Sequence, residues 1–217
     1  MKPPDYQFKK ELFQFLVELK FNNERPWFQA NKARYEEFLK KPMLAFIEAF
    51  QKPVARINKA YTQPRLFRIY RDTRFAKDKT PYKTHVAAQF LHRAASGDLH
   101  APGFYLHLEP GESFLAAGMW SPESDALKRI RGAIMARPKD WAKLSKLPFW
   151  GESYARPPKG VDPGHRFIAD LKRKHFISWV DFKDSQALGP HFIKDVEKAC
   201  KRMNPLLVFL NQALGLK

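Results

Sequence analysis

The chain has 217 residues and a net charge of +17, from 39 Lys and Arg against 22 Asp and Glu. Hydrophobic residues at 44% and charged ones at 28% exclude a disordered chain, and only ten glycines exclude collagen-like or glycine-linker architectures. No apolar run approaches the ~20 residues that span a bilayer, the first residues lack the apolar stretch of a signal peptide, and the lone Cys200 has no disulfide partner, so a cytoplasmic protein is expected.

The N-terminal part has helical spacing. Phe8, Leu12, Phe15, Leu16 and Leu19 recur behind Asp5, a candidate N-cap. Asn22-Asn23 is expected to break that helix and cap a second, with Pro26 in its first turn and Phe28, Tyr35, Phe38 and Leu39 on its apolar face. Pro42 is expected to start a third, carrying Leu44, Ile47 and Phe50. The middle changes period. Leu66-Phe67-Arg68-Ile69-Tyr70-Arg71 and His85 to Leu91 read as strands, and Phe104 to Leu108 and Phe114 to Trp120 as a hairpin about Glu109-Pro110-Gly111-Glu112, where Pro-Gly favours a type II turn. Ser121-Pro122-Glu123 then reads as an N-cap with Pro at the first helical position, ahead of a stripe of Leu127, Ile130 and Ile134. Pro138 begins a short helix with Trp141, Leu144 and Leu147, and residues 151–164 form a loop. Phe167, Ile168 and Leu171 predict another helix and His175 to Val180 a last strand. A C-terminal helix opening at Pro190, with Ile193, Val196, Cys200 and Met203, is expected to bend or break at Pro205. Helices, then antiparallel strands, then helices predict one α+β domain over residues 1–217, its sheet drawn from the middle of the chain.

Phosphate-loop, dinucleotide, zinc-protease and nucleophile-elbow signatures are absent, and one cysteine excludes a thiolate zinc cluster. Cys200 reads as a buried structural thiol, and the seven histidines as scattered. The unusual segment is residues 68–84. It holds Arg68, Arg71, Arg74, Lys77, Lys79 and Lys83 against only Asp72 and Asp78, with Tyr70, Tyr82 and three threonines between them. Guanidinium forks and ammonium groups at this density suit a phosphate or carboxylate. Alternatively, the two acids pair with the bases and lock a loop that holds no ligand. Trp27, Asn31 and Tyr35 share one helix face, which presents an amide between two rings or faces the core. Arg131 borders an apolar stripe as a rim residue or a further anion ligand, and Lys159, Asp162 and His165 lie in the long loop.

The run Asn22-Asn23-x-x-x-Trp27-Phe28-x-x-Asn31-Lys32-x-x-Tyr35, followed by Arg68-Ile69-x-Arg71-Asp72-Thr73-Arg74-Phe75-x-x-Asp78-Lys79-Thr80-Pro81-Tyr82-Lys83-Thr84, resembles the "domain of unknown function 2461" family. Gly103-Phe104-Tyr105-Leu106, Gly118-Met119-Trp120-x-Pro122, Ile130-Arg131-x-x-Ile134 and Pro158-Lys159-Gly160-Val161-Asp162-x-x-His165 extend the likeness over nearly the whole chain. Val161 and Arg166 depart from the family's aromatic and proline there. The resemblance implies a single-domain protein widespread in bacteria, with relatives in fungi, and supplies no catalytic assignment.

Three functions follow. The first is a site for a phosphorylated or other anionic small ligand, made by Arg68, Arg71, Asp72, Arg74, Asp78, Lys79, Tyr82 and Lys83, with Trp27, Asn31, Tyr35 and Arg131 around it, with or without chemistry on that ligand. The second is non-specific nucleic-acid binding through the basic excess, which is +11 in residues 128–217 and centres on 128–174. The third is an interaction module in which the motif is structural. Neither a cofactor nor a metal is predicted, and the oligomeric state is left open.

Overall fold

The computed structural model describes residues 7–95, 98 and 100–216; the expected cap Asp5 lies outside them. Helix α1 spans Lys10–Phe21 and buries Leu12, Phe15, Leu16 and Leu19, while Phe8 packs into the same core just ahead of it. A chain of helical turns follows: α2 (Arg25–Ala30), α3 (Lys32–Tyr35), a π-turn at Glu36–Lys40 and α4 (Lys41–Ile57). Pro26 sits in the first turn of α2, as expected, but Asn23 does not cap it, because its amide is engaged elsewhere. On α4 the buried stripe is Met43, Phe46, Ile47 and Phe50; Leu44 lies off it and is 46% exposed.

The sheet has the order β1-β2-β3-β4-β6-β5 and every pairing is antiparallel. Its strands are β1 (Gln63–Leu66), β2 (Val86–Leu91), β3 (Gly103–Leu108), β4 (Ser113–Met119), β5 (Phe149–Trp150) and β6 (Phe176–Phe182). The β3–β4 hairpin turns as the Pro-Gly pair dictates: Gly111 takes φ +78° and the Glu112 N–H donates to the Glu109 carbonyl at 3.0 Å. The first expected strand is misplaced. The β1–β2 ladder ends at Leu66, the Phe67 N–H makes one more bond to the Ala87 carbonyl of β2, and beyond it the chain leaves the sheet on an excursion that rejoins at β2.

The remaining helices are α5 (Ser124–Ala136), α6 (Pro138–Leu144), α7 (Ile168–Leu171), α8 (Asp184–Ala187) and α9 (Phe192–Leu214). Glu123, not Ser121, is the N-cap of α5; the Ser121 N–H donates instead to His175 Nδ1 at 3.0 Å. Of the bend or break expected at Pro205, the break does not occur: α9 runs through that residue as one 23-residue helix. Helices α9 and α4 seal one face of the sheet. Under them lie Ala88, Phe90, Phe104, Leu106, Leu115 and Ala117, alternate residues of the central strands. A second apolar cluster joins Met119, Ile130, Ile134, Trp141, Phe176 and Phe209 under α5 and α6. Helix α9 belongs to both clusters, with Val196, Cys200 and Met203 in the first and Leu206, Phe209 and Leu210 in the second. Cys200 is fully buried and burial pushes its thiol pKa up, which fits the inert structural thiol expected.

Because α9 joins both clusters, we expect them to unfold together: circular dichroism and tryptophan fluorescence should give one coincident thermal transition, and two separated transitions would divide the chain. A second prediction concerns Gly118, whose φ is +140° and whose missing Cβ would lie 1.9 Å from the Phe176 carbonyl oxygen. Gly118→Ala should cost about 3 kcal/mol or more, measured by urea denaturation, since the obstacle is backbone of a paired strand; a loss under about 1 kcal/mol would show that β6 can yield.

Candidate functional site

The 68–84 segment is a closed excursion. Tyr70 and Tyr82 form a β-bridge, with the Arg71 N–H donating to the Pro81 carbonyl and the Lys83 N–H to the Ile69 carbonyl. Asn23 clasps it from the helical side: its Nδ2 donates to the Tyr82 carbonyl (2.9 Å) and its Oδ1 accepts from the Tyr82 N–H (3.0 Å). The Tyr82 ring is buried, stacked on Phe28 at 4.1 Å. Within the excursion, Arg71 reaches Asp78 at 2.5 Å and donates to the Thr80 carbonyl and hydroxyl. Arg74 forks onto both oxygens of Asp72, and Lys79 donates to the Thr73 carbonyl. The Arg74 side chain and N–H hold the Asp72 carboxyl down at about 2. Asp78 falls to about 2 through the Thr80 N–H, then the Arg71 guanidinium and the Thr80 hydroxyl. The segment therefore supplies partners for Arg71, Arg74 and Lys79 from its own residues. Arg68 and Lys83 have no acid in ion-pair range among the described residues.

The other expected residues have structural partners. Trp27 and Tyr35 pack on Phe15, at 5.6 and 6.4 Å between ring centres, and burial raises the Tyr35 hydroxyl to about 12. Asn31 donates to the Trp27 carbonyl and accepts from Arg34, which is forked onto Glu18 of α1. Arg131 donates to the carbonyls of Leu171 and Arg173 and so ties α5 to the C-terminal end of α7 and the residues after it. In the long loop, Asp162 accepts from the Gly164 N–H and His165 Nδ1 from the Phe167 N–H, both of them local turns.

A different concavity lies on the sheet face away from α9. Cross-strand register sets its rows: Gln89, Tyr105, Ala116 and Trp179 in one, and Leu91, Gly103, Gly118, Ile177 and Trp150 in the next. The central strands present Gly103, Gly118 and Ala116, while rings stand toward both margins: Phe67 and Tyr105 on the β1 side, Trp150 and Trp179 on the β5 side, with Trp120 stacked on Trp150 at 5.1 Å. Small residues in the middle and large ones at the margins make a trough of about 830 Å³. Gln89 lies in it only 8% exposed, and its Oε1 finds no hydrogen-bond partner among the described residues. At the Phe67 wall, Arg65 and Lys83 stand over that ring at 5.8 and 5.3 Å. Burial, then the charge of Arg68, lowers the Lys83 pKa. Glu112 and Asp181 line the trough toward the hairpin end, and Asp181 accepts from the Trp179 indole at 3.3 Å.

Beside this trough sits a polar cluster. Tyr105, His107 and Glu109 alternate along one side of β3 and its extension, and His85 faces them from the start of β2. The Tyr105 hydroxyl and His107 Nδ1 are 3.2 Å apart, and His107 Nε2 is 3.1 Å from Glu109 Oε2. His107 also stacks on Phe114, a lining residue, at 4.7 Å. Burial pushes the Tyr105 hydroxyl up to about 12 and His85 down to about 4, the latter helped by His107 and Lys83 against the pull of Glu109. For Glu109 burial works upward, but hydrogen bonds from His107 and Thr84 and the fields of both histidines leave it below its ordinary value. The expected scatter of histidines is corrected here: His85 and His107 meet ring to ring at 4.2 Å. The signal was the alternation Phe104-Tyr105-Leu106-His107-Leu108-Glu109, which puts three polar groups on one side of a strand.

The chain belongs to the DUF2461 family, described as a conserved hypothetical protein, whose model matches residues 11–209. No curated protein matches it. Among the described residues no helix is long and apolar enough to cross a membrane.

The ion pairs of the excursion give a pH prediction. Asp72 and Asp78 titrate at about 2 in the fold, against an ordinary 3.8. Their contribution to stability is fully present above the unfolded value and is lost as pH falls from about 4 through about 2. Over that window the melting temperature of wild type should fall more steeply than that of Arg71→Met; parallel curves would show that the Arg71–Asp78 pair contributes nothing measurable.

Proposed function

We propose that the trough on the open sheet face binds a small ligand with a flat aromatic or apolar body and an anionic group. The observation that carries this reading is the lining itself. The solvent face of an antiparallel sheet ordinarily alternates to polar residues, whereas here it carries Tyr105, Phe114, Trp150, Ile177 and Trp179 about a floor of glycine and alanine. A concave, mainly apolar surface with a few converging polar groups is the usual form of a ligand site. The orphan Gln89 Oε1 supports a ligand N–H or O–H donor, since a buried acceptor without a partner costs about 1–3 kcal/mol. Lys83 and Arg65 at the Phe67 wall support an anionic group at that end, with Arg68 adding its charge nearby.

In this reading the anion expected from the basic motif is met at the root of the excursion, by Lys83 and Arg68, and Arg71 and Arg74 brace the loop. A second reading, single-stranded nucleic acid, is favoured by the same rings, because bases stack on aromatic side chains of sheet faces beside basic rims.

The test uses 8-anilino-1-naphthalenesulfonate, a flat aromatic anion, followed by its fluorescence and by calorimetry. Wild type should bind one equivalent saturably. Trp150→Ala should weaken binding about tenfold, in line with ~1–3 kcal/mol for a lost stacking partner. Ala116→Trp should abolish binding by filling the floor, Lys83→Met should weaken it, and Arg74→Ala should leave it unchanged. Binding indifferent to Trp150→Ala and Ala116→Trp would overturn the site. Oligothymidylate binding that falls steeply with salt and is lost in Trp150→Ala would select the nucleic-acid reading.

A further inference from the structure

We propose that His85, His107 and Glu109 form a binding site for one divalent transition-metal ion of the Zn²⁺ or Co²⁺ kind. The inference does not rest on the ligand reading of the trough. It begins with register. Val86 pairs with Leu108, so the residues just beyond them, His85 and Glu109, stand opposite one another, and His107 lies two residues back on the same side as Glu109. One ring nitrogen from each histidine and one carboxylate oxygen all lie within 4.8 Å of one another. The closest separations are 3.1 Å (His107 Nε2 to Glu109 Oε2) and 3.8 Å (His85 Nδ1 to the same oxygen). Ligand atoms about 2.0–2.1 Å from a tetrahedral ion stand roughly 3.3 Å apart, so small side-chain shifts would close the triangle on a metal.

The donor set selects the metal class. Two borderline imidazoles beside one hard carboxylate suit Zn²⁺, Co²⁺ or Ni²⁺, whereas Ca²⁺ and Mg²⁺ want oxygen alone. Three protein ligands also leave a fourth position open, as in zinc sites that take water or substrate. The supporting contacts are of the right kind. The Thr84 hydroxyl donates to Glu109 Oε1 at 2.7 Å, which leaves Oε2 toward both imidazoles. The Tyr105 hydroxyl engages His107 Nδ1 and so fixes the ring with Nε2 toward the carboxylate.

Without an ion, one proton arrangement satisfies most of these atoms: Tyr105 donates to His107 Nδ1, and His107 Nε2–H donates to Glu109. That arrangement leaves His85 over. Its Nδ1 is too far from Oε2 to hydrogen-bond, and the ring has no hydrogen-bond partner among the described residues although its side chain is only 23% exposed. A metal would employ it. His107 would pass to the Nδ1–H tautomer, with Tyr105 turning from donor to acceptor, so the ring need not gain or lose a proton overall. The nearby charges act in both directions: Glu109 draws a cation in, and Lys83, whose field reaches His85, opposes it.

The test takes the tag-free chain, treated with chelator and dialysed, and titrates it with Zn²⁺ by calorimetry and with Co²⁺ by visible absorbance at pH 7.5. Wild type should bind one ion at micromolar or tighter affinity, with the visible bands of low-coordinate Co²⁺. His85→Ala and Glu109→Gln, the second nearly isosteric, should each weaken binding by more than the ~10–100-fold that loss of an outer-shell partner costs, while His165→Ala, in the 158–165 loop, should bind as wild type does. X-ray absorption of the Zn²⁺-loaded wild type should show two imidazoles and no sulfur, a readout that needs no variant to fold. The proposal is overturned if wild type takes up no ion at millimolar concentration, if both substitutions leave the affinity unchanged, or if the absorption spectrum holds fewer than two imidazoles.

Discussion

A side chain at position 118 would run into the backbone of Phe176, so strand β6 can lie at its observed distance from β4 only because residue 118 is glycine. The same applies, less severely, across β2 and β3, where a Cβ on Gly103 would come within 2.9 Å of the Phe90 carbonyl oxygen. The two glycines are cross-strand partners. Together with Ala116 they lower the middle of the open face, while the opposite face stays filled by Phe104, Leu115 and Phe176 against the helices. One sheet thus has a full face and a hollow face. The hollow one is a trough because indole, phenol and phenyl rings stand around a floor of Gly103, Gly118 and Ala116.

The basic excursion sustains this arrangement from one side. It leaves β1 after Leu66 and returns into β2 through Lys83, Thr84 and His85. Its two ends therefore deliver Phe67 to the trough wall and Lys83, Thr84 and His85 to the polar cluster. For those residues to be held in place the excursion has to be closed. The Tyr70–Tyr82 bridge closes it, the Asn23 clasp and the Phe28 stack anchor it to the helical layer, and the Arg–Asp pairs stiffen its outer part. The exposed ion pairs add little stability by themselves, since exposed pairs contribute only ~0–1 kcal/mol. The buried tyrosine and the two bonds from Asn23 to its backbone fix the geometry.

Much of the fold could be read directly. The apolar stripes of α1, α5 and α9, the Pro-Gly hairpin and the helix–sheet–helix order are local patterns, and they formed as their periodicity demands. The misreadings have a common cause in non-local partners. Asn23 looks like a helix cap, but its amide is taken by a backbone 59 residues away. Phe67 to Arg71 have the composition of a strand, yet after the Phe67 N–H bond to the Ala87 carbonyl they leave β2, and Tyr70 and Arg71 pair instead with the returning limb of their own excursion at Tyr82 and Pro81. Pro205 reads as a bend or a break, but packing of α9 on the sheet and on α5 keeps the helix continuous through it. The density of charge in 68–84 was visible, and so was the alternative that Asp72 and Asp78 pair with its bases: Arg74 meets Asp72 two residues away, whereas the Arg71–Asp78 pair needs the chain to turn back on itself. The trough left a fainter trace in the alternations Phe114-Leu115-Ala116-Ala117-Gly118 and Tyr105-Leu106-His107-Leu108-Glu109. Each puts chemistry on one side of a strand, but only the register of five strands, β2 to β6, turns those residues into a surface.

If the ring-lined hollow of the sheet is a binding surface, a bound ligand must touch its indoles. The most direct test is the indole N–H region of a nitrogen-15 correlation spectrum, recorded as 8-anilino-1-naphthalenesulfonate is added. The five tryptophans divide cleanly. Trp120, Trp150 and Trp179 line the trough, Trp27 packs on Phe15 among the N-terminal helices, and Trp141 is buried with its indole donating to Asp170. Binding in the trough should make the Trp120, Trp150 and Trp179 signals shift and saturate together while those of Trp27 and Trp141 stay in place. Shifts at Trp27 or Trp141 with the trough signals unmoved would contradict it.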